Sequence, residues 1–142
     1  MILRWFPYAL LCSLVLASAD FFVKLASNKI SASMGMFIYG ATTFTVGLIW
    51  VGYLKLTKQT LFITQLGLLY SFAVGVAFST VTILLYLTFA RVEVSLGSPT
   101  IRVMGILIAS LLGILLLREP FTWRYLLGLL LTVGGVALIV FR

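Results

Sequence analysis

Apolar residues run through this chain in long blocks, and short polar turns interrupt them. The blocks cover about residues 5–26, 34–54, 66–89, 94–117 and 123–141. A bilayer core about 30 Å thick takes about 20 apolar residues per helix, so the pattern predicts an all-α integral membrane fold, a bundle of five transmembrane helices in a single domain covering residues 1–142. With short loops between the spans, nothing is left over for a soluble domain.

Each block carries its own polar marks. In the first, Ser13, Ala17, Asp20, Lys24 and Ser27 recur at spacings of three and four and therefore share one helix face, which is expected to look into the protein. Arg4, an apolar core over 8–16 and Ala17-Ser18-Ala19 before Asp20 also fit a cleavable signal peptide. Against cleavage, apolar character resumes at Phe21-Phe22-Val23 and no soluble domain follows, so the block reads as a retained first helix. The second block holds Thr42, Thr43 and Thr45 but no charge, with Gly35, Gly40 and Gly47 available for close helix contact. The polar connection after it ends in residues 61–65, which have the character of an interfacial extension. Gly67, Ser71, Gly75, Ser79, Thr82 and Tyr86 form a stripe along the third block, which serves either tight helix packing or the wall of a wet cavity.

The fourth block allows two starts with different consequences. With Ser98 as N-cap and Pro99 at the first helical position, the helix is plain and Arg102 can snorkel to the surface. With a start near Val94, Pro99 kinks the helix and frees the carbonyl of Ser95, and Arg102 sits about 13 Å in. The sequence Val94-Ser95-Leu96-Gly97 supplies no reason for a long loop, which favours the second start. Beyond it Gly105, Ala109 and Gly113 recur at every fourth position, a small-residue ridge for packing. The turn Arg118-Glu119-Pro120-Phe121 follows, with Glu119 as a turn residue, and Thr122 is a good N-cap for the fifth helix. Gly128, Thr132 and Gly135 lie on one side of that helix.

Composition sharpens the class. Of 142 residues 63% are hydrophobic and 9% charged, with a mean hydropathy of +1.23, where a globular domain carries about a quarter charged residues. The net charge of +7 comes from ten Lys and Arg scattered in ones and twos, not gathered on one face as nucleic-acid binding requires. The single Cys12 permits no internal disulfide, and there is no histidine. No metal site or cofactor is suggested, and no nucleophile and base pairing points to an enzyme.

Five spans place the termini on opposite sides of the membrane. Arg4, Lys55, Lys58, Arg118 and Arg124 then fall on the N-terminal side, and Lys24, Lys29, Arg91, Arg102 and Arg142 on the other, five against five. The positive-inside rule gives almost no preferred orientation. If Lys24 and Arg102 are discounted as intramembrane, a cytoplasmic N-terminus is weakly favoured. Trp5, Trp50 and Trp123 all fall near the N-terminal-side interface. A chain that inserts both ways can form an antiparallel homodimer, which reproduces in two copies the inverted repeats many transporters carry in one chain. The plain alternative is that a weak bias goes unread.

Glu93 followed by Pro99 and Arg102, a small-residue helix ending in Leu-Leu-Leu-Arg118-Glu119, then Phe-Thr-Trp-Arg-Tyr-Leu-Leu-Gly128 and a terminal Gly-Gly-Val-Ala-Leu-Ile, resemble the EamA-type domain of the drug/metabolite transporter superfamily. The resemblance spans nearly the whole chain and is specific in the last 50 residues or so. It implies one five-helix half of an inverted-repeat transporter, partnered by a second copy or another half. It also relates Lys24, Arg102 and Glu119 to a first-helix lysine, a basic residue after the proline, and the glutamate opening the last hairpin of that family. Two departures stand out. The family often has Trp-Gly where this chain has Ala-Ser-Ala-Asp20, and often glycine where it has Arg118.

The expected function is membrane transport of a small molecule, a metabolite or drug, by alternating access in a cell membrane of the bacterial inner-membrane type. The cavity would be lined by helices one to four, with the fifth as scaffold. Insertion scales put the cost of Asp, Lys or Arg at a helix centre at about 2.5–3.5 kcal/mol, so such residues tend to be paired and functional. The expected substrate-binding residues are Asp20, Lys24 and Arg102, with Ser79 and Tyr86 from the third span. Asp20 would neutralise Lys24 or Arg102, and the surplus positive charge would attract an anionic or zwitterionic group. A plain Asp20–Lys24 pair at i and i+4 is the structural alternative. Two other functions stay open: a non-transporting membrane assembly subunit, and a carrier for lipid-linked head groups.

Overall fold

The computed structural model describes residues 5–141, so Arg4 and Arg142, both part of the charge balance above, lie outside the described residues. It is all-helical: α1 Phe6–Ser27, α2 Ala32–Leu56, α3 Gln65–Phe89, α4 Val94–Leu116 and α5 Trp123–Val140. All five helices are long and apolar enough to cross a membrane. The shortest, α5, has 18 residues and at 1.5 Å per residue reaches ~27 Å, close to the thickness of a hydrocarbon core. The fold is thus compatible with a membrane helix bundle. Residues 59–64 have no regular structure, and α3 begins at Gln65.

Local chemistry sets the helix ends. Ser31, Thr64 and Thr122 each hold an extended backbone, and each side-chain oxygen accepts an amide N–H of the first turn, from Met34, Gly67 and Tyr125 at 3.3, 3.1 and 3.3 Å. These are N-caps for donors that would otherwise lack partners in an apolar medium. At the end of α2, Lys58 has φ 54°, and the amides of Lys58 and Gln59 return to the carbonyls of Lys55 and Leu54 at 3.1 and 3.0 Å, a Schellman ending. Arg118 has the same left-handed φ of 54° after α4, and the amides of Leu117 and Glu119 both return to Gly113 O at 3.1 and 3.2 Å. Both ends therefore adopt backbone that glycine takes most readily, yet carry basic residues.

Hydroxyls inside the helices are satisfied locally. Thr42, Thr43 and Thr45 donate to the carbonyls of Ile38, Tyr39 and Ala41 at 2.7–2.8 Å, and Thr80 and Thr132 do likewise to Val76 and Gly128. A threonine bonded in this way can face an apolar medium at little cost. The side chains around them are large, apolar and exposed, Phe37, Phe44, Ile49 and Trp50 among them. Few residues are buried by the chain itself, and α5 buries none. An apolar surface this extensive requires an apolar solvent or further protein to cover it.

The chain divides into two compact units. One joins the chain up to Asp20 with the chain from Val92 onward, and the other is Phe21–Arg91. In the first unit α4 and α5 pack as a hairpin, and the hydroxyls of Ser110 and Tyr125 hydrogen-bond across it. In the second, α2 and α3 form the corresponding hairpin. There the ring end of Tyr86 fills the space beside Gly35, where a Cβ would lie 2.5 Å from Cζ and 2.7–2.8 Å from both Cε atoms.

Candidate functional site

The helix start at Val94 decides the geometry around Asp20. Because α4 is already helical before Pro99, Ser98 and Arg102 stand one turn apart on the same face. Both reach the Asp20 carboxylate of α1. Ser98 Oγ donates to Oδ2 at 2.6 Å, and Arg102 Nη2 donates to Oδ1 and Oδ2, each at 2.9 Å. Asp20 is 2% exposed, while the Arg102 side chain is 40% exposed. The guanidinium is therefore held by the carboxylate. Pro99 supplies no N–H, so the carbonyl of Ser95 loses its helical partner one turn earlier. The Thr100 hydroxyl bonds the carbonyl of Leu96 at 2.7 Å on the adjoining turn.

A carboxylate this deeply buried is tolerable because its pairing is charge-assisted and both its oxygens are satisfied. Removing one partner of such a pair costs about 3–5 kcal/mol. The pair is thus a strong local constraint on how α1 meets α4 within this unit. Ser98 was not legible as a ligand when read as an N-cap. Its spacing of four from Arg102 was the available signal.

Lys24 serves the other unit. Its Nζ donates to the carbonyl of Phe89 at 2.6 Å. Phe89 is the last residue of α3 and is fully buried. The last carbonyls of a helix lack intrahelical donors and form the negative end of its dipole, so an ammonium there caps α3. The ion pair that Asp20 makes is with Arg102.

Of the remaining candidates, Tyr86 and Ser79 belong to the unit of α2 and α3. Tyr86 is half-buried against Gly35, as described. Ser79 lines an open groove of about 390 Å³ between α2 and α3, with Thr43, Ser71 and Gly75. Of the third-helix stripe, Thr82 is buried, Gly75 meets nothing within 4 Å, and Ser71 and Ser79 face the groove. One end of the stripe is thus packed, and the other lines an open groove. The small-residue ridge of α4 also divides. Gly113 is buried because the Glu119 carboxylate folds over it, Oε2 lying 2.6 Å from where a Cβ would be. A Cβ at Gly105 or Gly128 would meet nothing within 4 Å, and Ala109 is exposed, so among the described residues of this unit none of these three seats a second helix. Glu119 sits in the α4–α5 turn. Compared with protein-family models, curated proteins and solved structures, the chain matches none.

Proposed function

We propose that the chain is a small-molecule transporter of a cell membrane, resembling the EamA-type half-transporters and completed by an antiparallel second copy or a partner half. The observation that carries this reading is the Asp20–Ser98–Arg102 cluster. A buried carboxylate and a partly exposed guanidinium sit on two apolar helices, one of them carrying Pro99 between Ser98 and Arg102. Ionisable groups within spans are costly and mark substrate or ion paths. Charges balanced on the two sides of the predicted spans support insertion in both directions. The open surroundings of Gly105 and Gly128 suit close approach of another helix. They would equally serve a different partner chain, which is the assembly-subunit reading.

The test begins with thermal unfolding of the purified chain in detergent against a panel of amino acids, sugars, organic acids and quaternary amines, since a ligand that binds the folded state raises its midpoint. Radiolabelled compounds that shift it are then offered to proteoliposomes carrying the wild type, Arg102→Ala or Asp20→Asn. Uptake by the wild type that Arg102→Ala lowers and Asp20→Asn alters is the expected outcome. Wild-type uptake in both removes the site role. No shift and no uptake, with a different chain co-purifying, replaces transport by assembly.

A further inference from the structure

The guanidinium of Arg102 commits one of its three nitrogens. Nη2 alone donates to both oxygens of Asp20, and Nε and Nη1 hold no hydrogen bond among the described residues. Exposure is just as uneven: 40% for the Arg102 side chain against 3% for that of Asp20. The carboxylate is closed off by Ser98 on one oxygen and Nη2 on both, so what the cluster presents outward is a cationic edge of N–H donors.

In apolar surroundings such donors call for acceptors, and a guanidinium is a planar fork that matches the oxygens of carboxylate or phosphate. We propose that the outward edge of Arg102 binds an oxyanion group of the ligand, a carboxylate or phosphate, with Asp20 and Ser98 as positioning residues that hold the guanidinium against α1. This rests on the transporter reading and adds a substrate class to it. Because Asp20 already neutralises Arg102, affinity comes from directed donors and not from surplus charge. Asp20 also opposes the incoming anion. The Asp20→Asn change keeps an oxygen for Nη2 and a partner for Ser98 while removing that opposition, so it should tighten anion binding by about tenfold or more. A purely structural ion pair predicts no such gain.

The test uses the full chain in detergent, with the unfolding midpoint followed against inorganic phosphate, succinate and, as a cation control, choline, all at constant ionic strength. A second arm places the chain in phosphatidylcholine nanodiscs with and without phosphatidic acid, which separates a lipid headgroup from a soluble anion. A saturable rise with phosphate, succinate or phosphatidic acid is expected. It should be absent with choline, retained in Arg124→Gln, lost in Arg102→Gln, and reached at lower concentration in Asp20→Asn. An equal rise in folded Arg102→Gln, a rise with choline alone, or unchanged or weaker binding in Asp20→Asn overturns the inference. If Arg102→Gln does not fold, the Asp20→Asn titration decides by itself. Vesicles loaded with the radiolabelled anion keep the two proposals apart. Binding that depends on Arg102 without any flux upholds the oxyanion site and sinks transport, whereas choline flux indifferent to Asp20→Asn upholds transport and sinks the oxyanion site.

Discussion

The ring end of Tyr86 occupies the space that a side chain at Gly35 would need. A Cβ at position 35 would lie 2.5 Å from Tyr86 Cζ, well inside any real contact, and Gly35 itself is buried at the start of α2. Gly35→Ala should therefore force α2 and α3 apart or push the ring aside, at about 1–3 kcal/mol, the usual cost of overpacking. Pairing it with Tyr86→Ala should recover part of that loss. A double-mutant cycle read by thermal unfolding checks this: additive losses would show that the two residues are not coupled.

The Asp20–Arg102 pair should respond asymmetrically to loss of either partner. Arg102→Gln strands a carboxylate that is 2% exposed and should cost about 3–5 kcal/mol. Asp20→Asn leaves a guanidinium whose side chain is 40% exposed and should cost clearly less. Adding Asp20→Asn to Arg102→Gln should restore stability, because no buried charge is then left unpaired. Unfolding midpoints of the three proteins measure this, and equal losses in the two single variants would contradict it.

Lys24 should matter to the end of α3. Its bond to the carbonyl of Phe89 is 2.6 Å, and a hydrogen bond from a charged donor contributes about 1.5–3 kcal/mol. Lys24→Met should speed amide exchange over the last turn of α3 and lower the unfolding midpoint, with Lys24→Arg nearer wild type. Exchange that is unchanged there in Lys24→Met would show that the cap contributes nothing.

Lys58 and Arg118 both sit at φ 54°. A side chain in this region costs about 1–2 kcal/mol through the clash of its Cβ with the following carbonyl, a penalty that glycine avoids. Lys58→Gly and Arg118→Gly should each raise the unfolding midpoint, against the usual direction for a glycine substitution. A lowered midpoint in either variant would mean that the basic side chain stabilises its turn by more than the backbone strain costs.

Insertion should be sensitive to single charges, since the Lys and Arg residues sort evenly about the predicted spans. Reporters fused after residue 142, a green fluorescent protein active in the cytoplasm and a phosphatase active outside it, should both give signal. Arg91→Ala should shift the population toward a cytoplasmic N-terminus, raising phosphatase activity and lowering fluorescence. One reporter silent in the wild type would exclude insertion in both directions.

The helices themselves were legible in the sequence because an apolar run of about 20 residues has one favourable structure in an apolar solvent, and because Thr122 is an N-cap by side-chain chemistry alone, while the caps Ser31 and Thr64 emerged only in the structure. Each helix lies within two residues of its predicted bounds. The start of α4 was narrowed to two choices, since a proline is compatible with either a first turn or a kink. What the sequence could not assign was partnership. Asp20 had two basic candidates, and spacing along α1 favoured Lys24 as readily as distance in the chain allowed Arg102. Tertiary structure paired Asp20 with Arg102 and Ser98, set Lys24 on the end of α3, and laid Glu119 over Gly113. Helix existence is a local matter of hydropathy and capping, whereas the choice of a counter-ion depends on which faces meet, and that is settled only when α4 begins before its proline and presents Ser98 and Arg102 together.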